Sequence, residues 1–273
     1  MRPQPPPRSV LAAFGLTDAP HRLPGTGDAW QVGDRVLKRA AADSSWLEWE
    51  ELVLSPFEET GFRIQRPQRA LDGSFVVDGW FARDYLAGAH RSRRWREIIS
   101  VADALHAAFE ALPPSLVHPL PIPRGDAWAR ADRIAWEEEP MPTGLGSADP
   151  ILGELLEARR PVRVAPQLIH GDLTGNVLFA DGLAPAVIDF SPYWRPAGYA
   201  IGVIVADAVV WEGADLALLE AVAGRAEIGQ CLLRAMIFRH VTALLLPGRL
   251  PGGVAAERYA SLRGAVLALV RTA

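Results

Sequence analysis

Apolar positions change period along the chain. Between Trp30 and Tyr85 they read as short strands: Val32, Val36 and Leu37 flank Gly33-Asp34, and Phe75-Val76-Val77 and Trp80-Phe81 flank Asp78-Gly79. Two hairpins and an antiparallel sheet are predicted. One helix interrupts them. Ser45-Trp46-Leu47-Glu48 has the spacing of a capping box, and Trp46, Trp49, Leu52 and Val53 fall on one helical face, which is expected to pack on the sheet. After Gly88 the period becomes helical: Ile98, Val101, Leu105, Ala108, Phe109 and Leu112 recur before Pro113-Pro114 stops the run. Further helices are predicted at about 150–159, 197–211, 215–223, 227–245 and 254–271. The exception is a strand-turn-strand unit in which Leu168-Ile169 and Val177-Leu178-Phe179 bracket His170-Gly171-Asp172, and Asp181-Gly182 leads into Ala186-Val187-Ile188. The pattern predicts an α+β chain: a Pro-rich extended tail over 1–9, a small sheet-rich lobe over 10–85 and a larger, mostly helical lobe over 86–273, with a cleft at Ala82–Gly88.

Composition narrows the function. In 273 residues there are 28 Lys and Arg against 32 Asp and Glu, a net charge of −4, which disfavours partners held by nucleic acid backbones or anionic membranes. The run Val10–Leu16 is barely long enough for a signal-peptide core and lacks a small-residue cleavage site; the apolar stretch Ala197–Trp211 is too short to span a bilayer and is interrupted by Asp207. The single cysteine, Cys231, sits in an apolar run and reads as core. A reducing cytoplasm is the expected location.

The densest chemistry lies in His170-Gly-Asp172-Leu-Thr-Gly-Asn176, followed thirteen residues after the asparagine by Asp189 in Val187-Ile188-Asp189-Phe190. Two carboxylates and an amide at the ends of short apolar strands suit a hard divalent cation, with Asn176 and Asp189 as oxygen ligands beside nucleotide phosphates. Asp172 is then available to orient or deprotonate a hydroxyl. Taken singly, each is as well explained as a turn residue; the composite is specific.

His-Gly-Asp-x-x-x-Asn followed by Ile-Asp-Phe resembles the catalytic and metal-binding segments of the aminoglycoside phosphotransferase-like small-molecule kinases, relatives of the protein kinases. The stretch Gln167–Trp211, with Ser191-Pro-Tyr-Trp-Arg-Pro196, is similar to an uncharacterised actinobacterial branch of that superfamily. The resemblance implies a bilobal protein-kinase-like fold and transfer of a phosphoryl group from ATP or GTP, with Mg2+, to a hydroxyl of a small molecule. It implies Asp172 as catalytic base, Asn176 and Asp189 as magnesium ligands, and His170 as the loop histidine that organises the backbone.

The first lobe offers matching groups. Lys38, at the end of Val36-Leu37-Lys38, is the only lysine in the chain, every other basic residue being arginine, so it stands out as a phosphate contact. Gly25-Thr26-Gly27 lies where such a fold places its phosphate-covering loop, although a plain turn fits equally well and the segment is no Walker motif. Glu48 is favoured over Glu51 as the helix glutamate that pairs with Lys38, against a competing role for Glu48 in the capping box. Phe81, Ala82, Arg83, Asp84 and Tyr85 form the connector expected to present backbone groups to adenine.

Asp126, Asp132, Glu137-Glu138-Glu139 and Asp149 can attract a polycation or form a solvated face, and Trp128, Trp136, Trp194 and Arg195 can make a wall for a sugar or an anion. A catalytically weak nucleotide-binding module of the same fold is the alternative to an enzyme. A metal-dependent hydrolase ranks last, because His21, His90, His106, His118 and His240 are scattered.

Overall fold

Both hairpins form, and strand alternation decides what each face of their sheet buries. The computed structural model describes residues 4–24, 28–40, 45–56, 58–120, 125–142, 149–246 and 251–272. Strands His21–Arg22, Trp30–Val32, Arg35–Arg39, Trp80–Asp84 and Pro67–Gln68 lie side by side in that order, with Val76–Val77 also paired to Trp80–Asp84. All these pairings are antiparallel. At the second hairpin, Asp78 and Gly79 both have positive φ, 49° and 74°, the conformation that matches a two-residue turn to the twist of its strands.

Residues two apart share a face. Trp80, Ala82, Leu37, Trp30 and Val32 therefore bury against Val10 and Leu11, while Phe81 packs with Leu47 and Phe75 on the opposite side. Lys38 is in register with Phe81 and Val36 with Arg83. Lys38 thus faces the side covered by the helix Ser45–Leu54.

That helix is rotated from its expected phase. Its buried residues are Leu47, Glu50, Val53 and Leu54, and Leu52 is 59% exposed. The true stripe contains a glutamate, which an apolar-only reading skips. The tail also differs from expectation. Arg8–Ala13 is already helical, the N–H groups of Val10 and Leu11 donate to Pro7 O at 3.0 and 3.1 Å, and burial of Val10 and Leu11 anchors the turn to the sheet.

Two compact units result, and they do not follow a single cut near residue 85. The first gathers Met1–Ala89, Leu112–Ile122 and Leu178–Phe190; the second gathers His90–Ala111, Pro123–Val177 and Ser191–Ala273. Residues 178–190 join the first unit because Ala186–Val187 pairs in parallel with Arg63–Ile64. Trp49 reinforces this: its ring stacks on Phe190 at 6.3 Å and its Nε1 donates to Leu116 O at 3.0 Å.

The second unit is helical around a two-stranded antiparallel sheet, Gln167–His170 with Pro192–Arg195. Its helices are Trp95–Glu110, Ala127–Ala135, Pro150–Glu157, Ala197–Val210, Ile228–Leu245 and Val254–Thr272. The expected helix at 215–223 is instead a 3-10 segment, Leu216–Ala221, and the acidic segment contains a helix, Ala127–Ala135, capped by Asp126, that the apolar pattern does not predict. Gly202 lets the helices Ala197–Val210 and Ile228–Leu245 approach closely, since a Cβ there would stand 2.9 Å from Cys231 O. Ile228–Leu245 is long and apolar enough to cross a membrane, but most of it is buried among the other helices, as in a core helix.

Candidate active site

In the first unit, Lys38 meets Asp189. The strand Arg35–Arg39 carries Lys38, the parallel strand Ala186–Val187 delivers Asp189, and Lys38 Nζ donates to Asp189 Oδ1 across 151 residues of sequence. Asp189 adopts φ 52°, a left-handed conformation that costs a non-glycine residue energy and is held by its surroundings. Gln65 contributes to that hold. This buried side chain donates through Nε2 to Asp84 O at 2.8 Å and accepts at Oε1 from Asp189 N–H at 3.4 Å.

The helix glutamate is neither of the two expected. Glu48 is exposed and makes no ion pair with Lys38 among the described residues, and Glu51 pairs with Arg69 at 2.6 Å. Glu50 takes the inward position, 1% exposed, and grips Arg83 bidentately: Arg83 Nη1 and Nη2 donate to its two oxygens at 2.5 and 2.7 Å. Burial pushes the Glu50 carboxyl above its ordinary range, against the pull of Arg83.

Of the expected connector Ala82–Tyr85, the first three residues belong to a strand and only Tyr85 follows it. Ala82, Arg83 and Asp84 lie inside the sheet, with strands on both sides, and the Asp84 and Tyr85 N–H groups donate to Arg66 O and Asp34 O at 3.0 and 2.9 Å. The backbone of Ala82, Arg83 and Asp84 is engaged by the ladder, and Tyr85 is the first residue of this segment beyond the strand. Gly25, Thr26 and Gly27 lie outside the described residues.

In the second unit, His170, Asp172 and Asn176 come together on one turn. His170 is 0% exposed; its Nδ1 accepts the Asp172 N–H at 3.1 Å, and its own N–H donates to His106 Nε2 at 3.3 Å. A ring so enclosed orders the loop and cannot touch a substrate. Gly171 is required by close packing, since a Cβ there would stand 2.4 Å from the Tyr193 ring. Asn176 Nδ2 donates to Asp172 O at 2.7 Å, which fixes the amide and leaves its oxygen the side chain's acceptor.

Asp172 is tied to a residue that sequence reading passed over. Arg239, on the helix Ile228–Leu245, donates from Nη2 to Asp172 Oδ1 at 2.7 Å and from Nε to Asp207 Oδ1 at 2.8 Å, with a second bond from Nη2 to Asp207 Oδ2. Burial disfavours charge on Arg239, but Asp207 and Asp172 more than offset this and raise its pKa above the ordinary guanidinium range. The other oxygen of Asp172, Oδ2, has among the described residues a single long contact, 3.5 Å from Asn176 Nδ2, and the side chain is 40% exposed.

The acidic segment of this unit is internally neutralised. Asp126 caps the helix Ala127–Ala135, Asp132 and Glu138 share Arg195 at 2.6 Å each, and Glu139 takes Arg130 and Arg133 at 2.5 and 3.0 Å. Asp149 caps the helix Pro150–Glu157 and meets His240 Nε2 at 2.7 Å. Trp136 and Arg195 form no open wall: Trp136 stands edge-on to Tyr199 and lies against the guanidinium groups of Arg195 and Arg234, at 5.1 and 4.9 Å.

No family model and no curated relative matches the chain. Solved structures do match it along nearly its whole length. Spectinomycin phosphotransferase APH(9)-Ia in complex with ADP and spectinomycin is 12% identical, with 96% of this chain and 95% of that chain covered and a TM-score of 0.56. A thermostable mutant of aminoglycoside phosphotransferase APH(4)-Ia in ternary complex with ADP and hygromycin B gives 15%, 97% and 97%, and 0.59. Choline kinase LicA from Streptococcus pneumoniae gives 11%, 96% and 97%, and 0.57. The protein therefore has the protein-kinase-like α+β fold of the aminoglycoside phosphotransferases and choline kinases.

Proposed function

We propose that the protein is an ATP-dependent phosphotransferase acting on a hydroxyl of a small molecule in the cytoplasm. The observation that carries this reading is the Lys38–Asp189 pair: the chain's only lysine and the aspartate of Ile-Asp-Phe, far apart in sequence, meet at strand ends. A lone amine beside a carboxylate held in a strained backbone is the pairing a triphosphate and its cation require. Fold likeness to proteins crystallised with ADP supports nucleotide use.

In this reading Lys38 contacts the donor phosphates, while Asp189 and the side-chain oxygen of Asn176 would hold Mg2+. Magnesium takes oxygen ligands and keeps several waters, so two protein ligands suffice beside phosphate. When bound, the ion screens the charge of the phosphates. Asp172 Oδ2 accepts the hydrogen bond of the acceptor hydroxyl and aligns its oxygen. The bond from that oxygen to the γ-phosphorus forms as the bond from γ-phosphorus to the β,γ-bridging oxygen breaks. ADP leaves, and the hydroxyl proton passes to Asp172 and then to water. His170 positions the loop and Arg239 fixes the Asp172 carboxylate.

A second reading, a nucleotide-binding module with weak transfer, is favoured by one observation: Glu50, the buried helix glutamate, is engaged by Arg83, whereas protein kinases pair such a glutamate with the strand lysine. One experiment separates them. Full-length protein is titrated with ATP with and without Mg2+ while thermal unfolding is followed, and transfer of labelled γ-phosphate is then screened over sugars, amino alcohols, nucleosides and aryl alcohols. The phosphotransferase reading expects Mg2+-dependent stabilisation and a labelled product that disappears in Asp172→Ala. Stabilisation without product favours the module, and absence of both overturns the nucleotide reading.

A further inference from the structure

The guanidinium of Arg239 is only partly used. Nε–H and one Nη2–H go side by side to the two oxygens of Asp207, and the second Nη2–H goes to Asp172 Oδ1 at 2.7 Å, whereas Nη1 has no partner among the described residues. The planar fork fixes where Nη1 points. Because Asp207 takes the edge shared by Nε and Nη2, the Nη2–H that reaches Asp172 lies on the edge shared with Nη1, and the Nη1–H on that edge runs parallel to it. Asp172 meets this edge with one oxygen, so the second place of the fork, beside Asp172 Oδ1, is open. Both side chains reach solvent, Arg239 at 18% exposure.

This place is chemically selective. The guanidinium charge is already answered by two carboxylates, so Nη1 offers a donor rather than a spare positive charge, and Asp172 Oδ1 alongside it is an acceptor. A neutral hydroxyl satisfies both, accepting from Nη1 and donating to Oδ1. A carboxylate or phosphate would set negative charge against Oδ1, while an ammonium has no lone pair for Nη1 and would stand beside another cation.

We propose that the phosphoryl acceptor is a neutral vicinal diol, as sugars and cyclitols present, and that Arg239 selects it. One hydroxyl sits on Asp172 Oδ2, and its neighbour fills the open place between Arg239 Nη1 and Asp172 Oδ1. In the transfer, the oxygen on Oδ2 bonds the γ-phosphorus of ATP as the bond to the β,γ-bridging oxygen breaks; ADP leaves, and the proton passes to Asp172. The role of the diol as acceptor rests on the phosphotransferase reading above; its recognition rests on the half-filled fork alone.

The test places different neighbours on one ring. Affinities of full-length protein for cis-1,2-cyclohexanediol, cis-1,4-cyclohexanediol, cyclohexanol and cis-2-aminocyclohexanol are measured at pH 7 by saturation-transfer NMR, with and without Mg2+ and a non-hydrolysable ATP analogue. The 1,2-diol should bind about tenfold or more tightly than the 1,4-diol and cyclohexanol, the worth of one hydrogen bond to a charged group. The amino alcohol, a cation at this pH, should gain nothing over cyclohexanol. Arg239→Lys keeps a cation for Asp207 but has no fork, so in it the advantage of the 1,2-diol should disappear; if that variant does not fold by circular dichroism, the ring series in the parent decides alone. No binding of the 1,2-diol, equal binding of the two diols, tighter binding of the amino alcohol, or an advantage that survives in folded Arg239→Lys overturns the inference. Transfer of labelled γ-phosphate to the same compounds tells the two readings apart. Product from the three hydroxyl compounds alike leaves the phosphotransferase and removes the diol preference, whereas preferential 1,2-diol binding with neither product nor nucleotide binding keeps the diol site and removes the phosphotransferase.

Discussion

Arg239 donates to Asp172 across 67 residues of sequence, and the same guanidinium is anchored by Asp207, a carboxylate buried in the helix Ala197–Val210. The anchor matters more to folding than the tie. Asp172 is partly exposed and can fall back on water, whereas Asp207 cannot. Replacing Arg239 by Met strands a buried carboxylate and should cost about 3–5 kcal/mol in urea unfolding. Adding Asp207→Asn removes the stranded charge, so the double variant should lose clearly less than the sum of the two single losses. Strict additivity would mean that the two groups are uncoupled.

Lys38 and Asp189 should behave in the opposite way. Both side chains retain solvent contact, so the pair adds little to stability, and Lys38→Met should change unfolding free energy by less than about 1 kcal/mol. Its effect should appear in ligand binding instead. A charge-assisted bond to phosphate is worth about 1.5–3 kcal/mol, so Mg·ATP should bind about ten- to a hundredfold more weakly by titration. Lys38→Arg should not restore it, because a planar fork on a different stem cannot occupy the place of a compact ammonium. Unchanged affinity in Lys38→Met would detach this residue from the nucleotide.

The contrast between these two arginine and lysine sites marks what could be read from the chain. Lys38 was legible because it is the only lysine, and Asp172, Asn176 and Asp189 because their spacing is a composite that chance rarely assembles. Both hairpins were legible from alternation and their turn residues. Glu50 was not, because an apolar stripe has no place for a glutamate, although Leu47, Val53 and Leu54 mark a face that includes position 50. Arg239 left a fainter signal. Asp207 is a lone acid in one apolar helix and Arg239 one of two arginines in another, and buried charges of opposite sign must find each other. Which arginine takes Asp207 depends on helix packing, because Arg234 instead donates to Arg160 O and Gln230. The assignment of residues 178–190 to the first unit depends on a parallel pairing with Arg63–Ile64, a contact between strands of two residues each that local pattern does not encode.

Glu50 and Arg83 give a direct check on which glutamate the helix turns inward. Arg83→Met leaves Glu50 buried without a partner and should cost about 3–5 kcal/mol, with part of the loss recovered by adding Glu50→Gln. Glu48→Ala, at an exposed position, should stay within about 0.5 kcal/mol of the parent. Urea midpoints for the set decide the phase of the helix: a large loss in Glu48→Ala with a neutral Arg83→Met would restore the capping-box face.

His106 should give the second unit an acid-sensitive stability. Burial pushes its pKa down to about 3, with His170 adding to the shift, and its neutral Nε2 accepts the His170 N–H that begins the Asp172 loop. In the unfolded chain a histidine takes up a proton near pH 6.5. Between those two values the unfolded state binds a proton that the folded state refuses, so this contribution is intact above about pH 6.5. It is lost as pH falls toward 3, by up to about 1.4 kcal/mol per unit. His106→Asn keeps a hydrogen-bond acceptor on the side chain but cannot titrate. The variant should be less stable than the parent at pH 7 through lost packing, and the gap should narrow steadily from pH 6.5 to pH 4 as only the parent pays the proton penalty. Urea unfolding at half-unit intervals measures that gap directly. A gap that stays constant with pH would mean that the folded protein protonates His106 as readily as the unfolded chain does, and the buried neutral ring under the Asp172 loop would have to be abandoned.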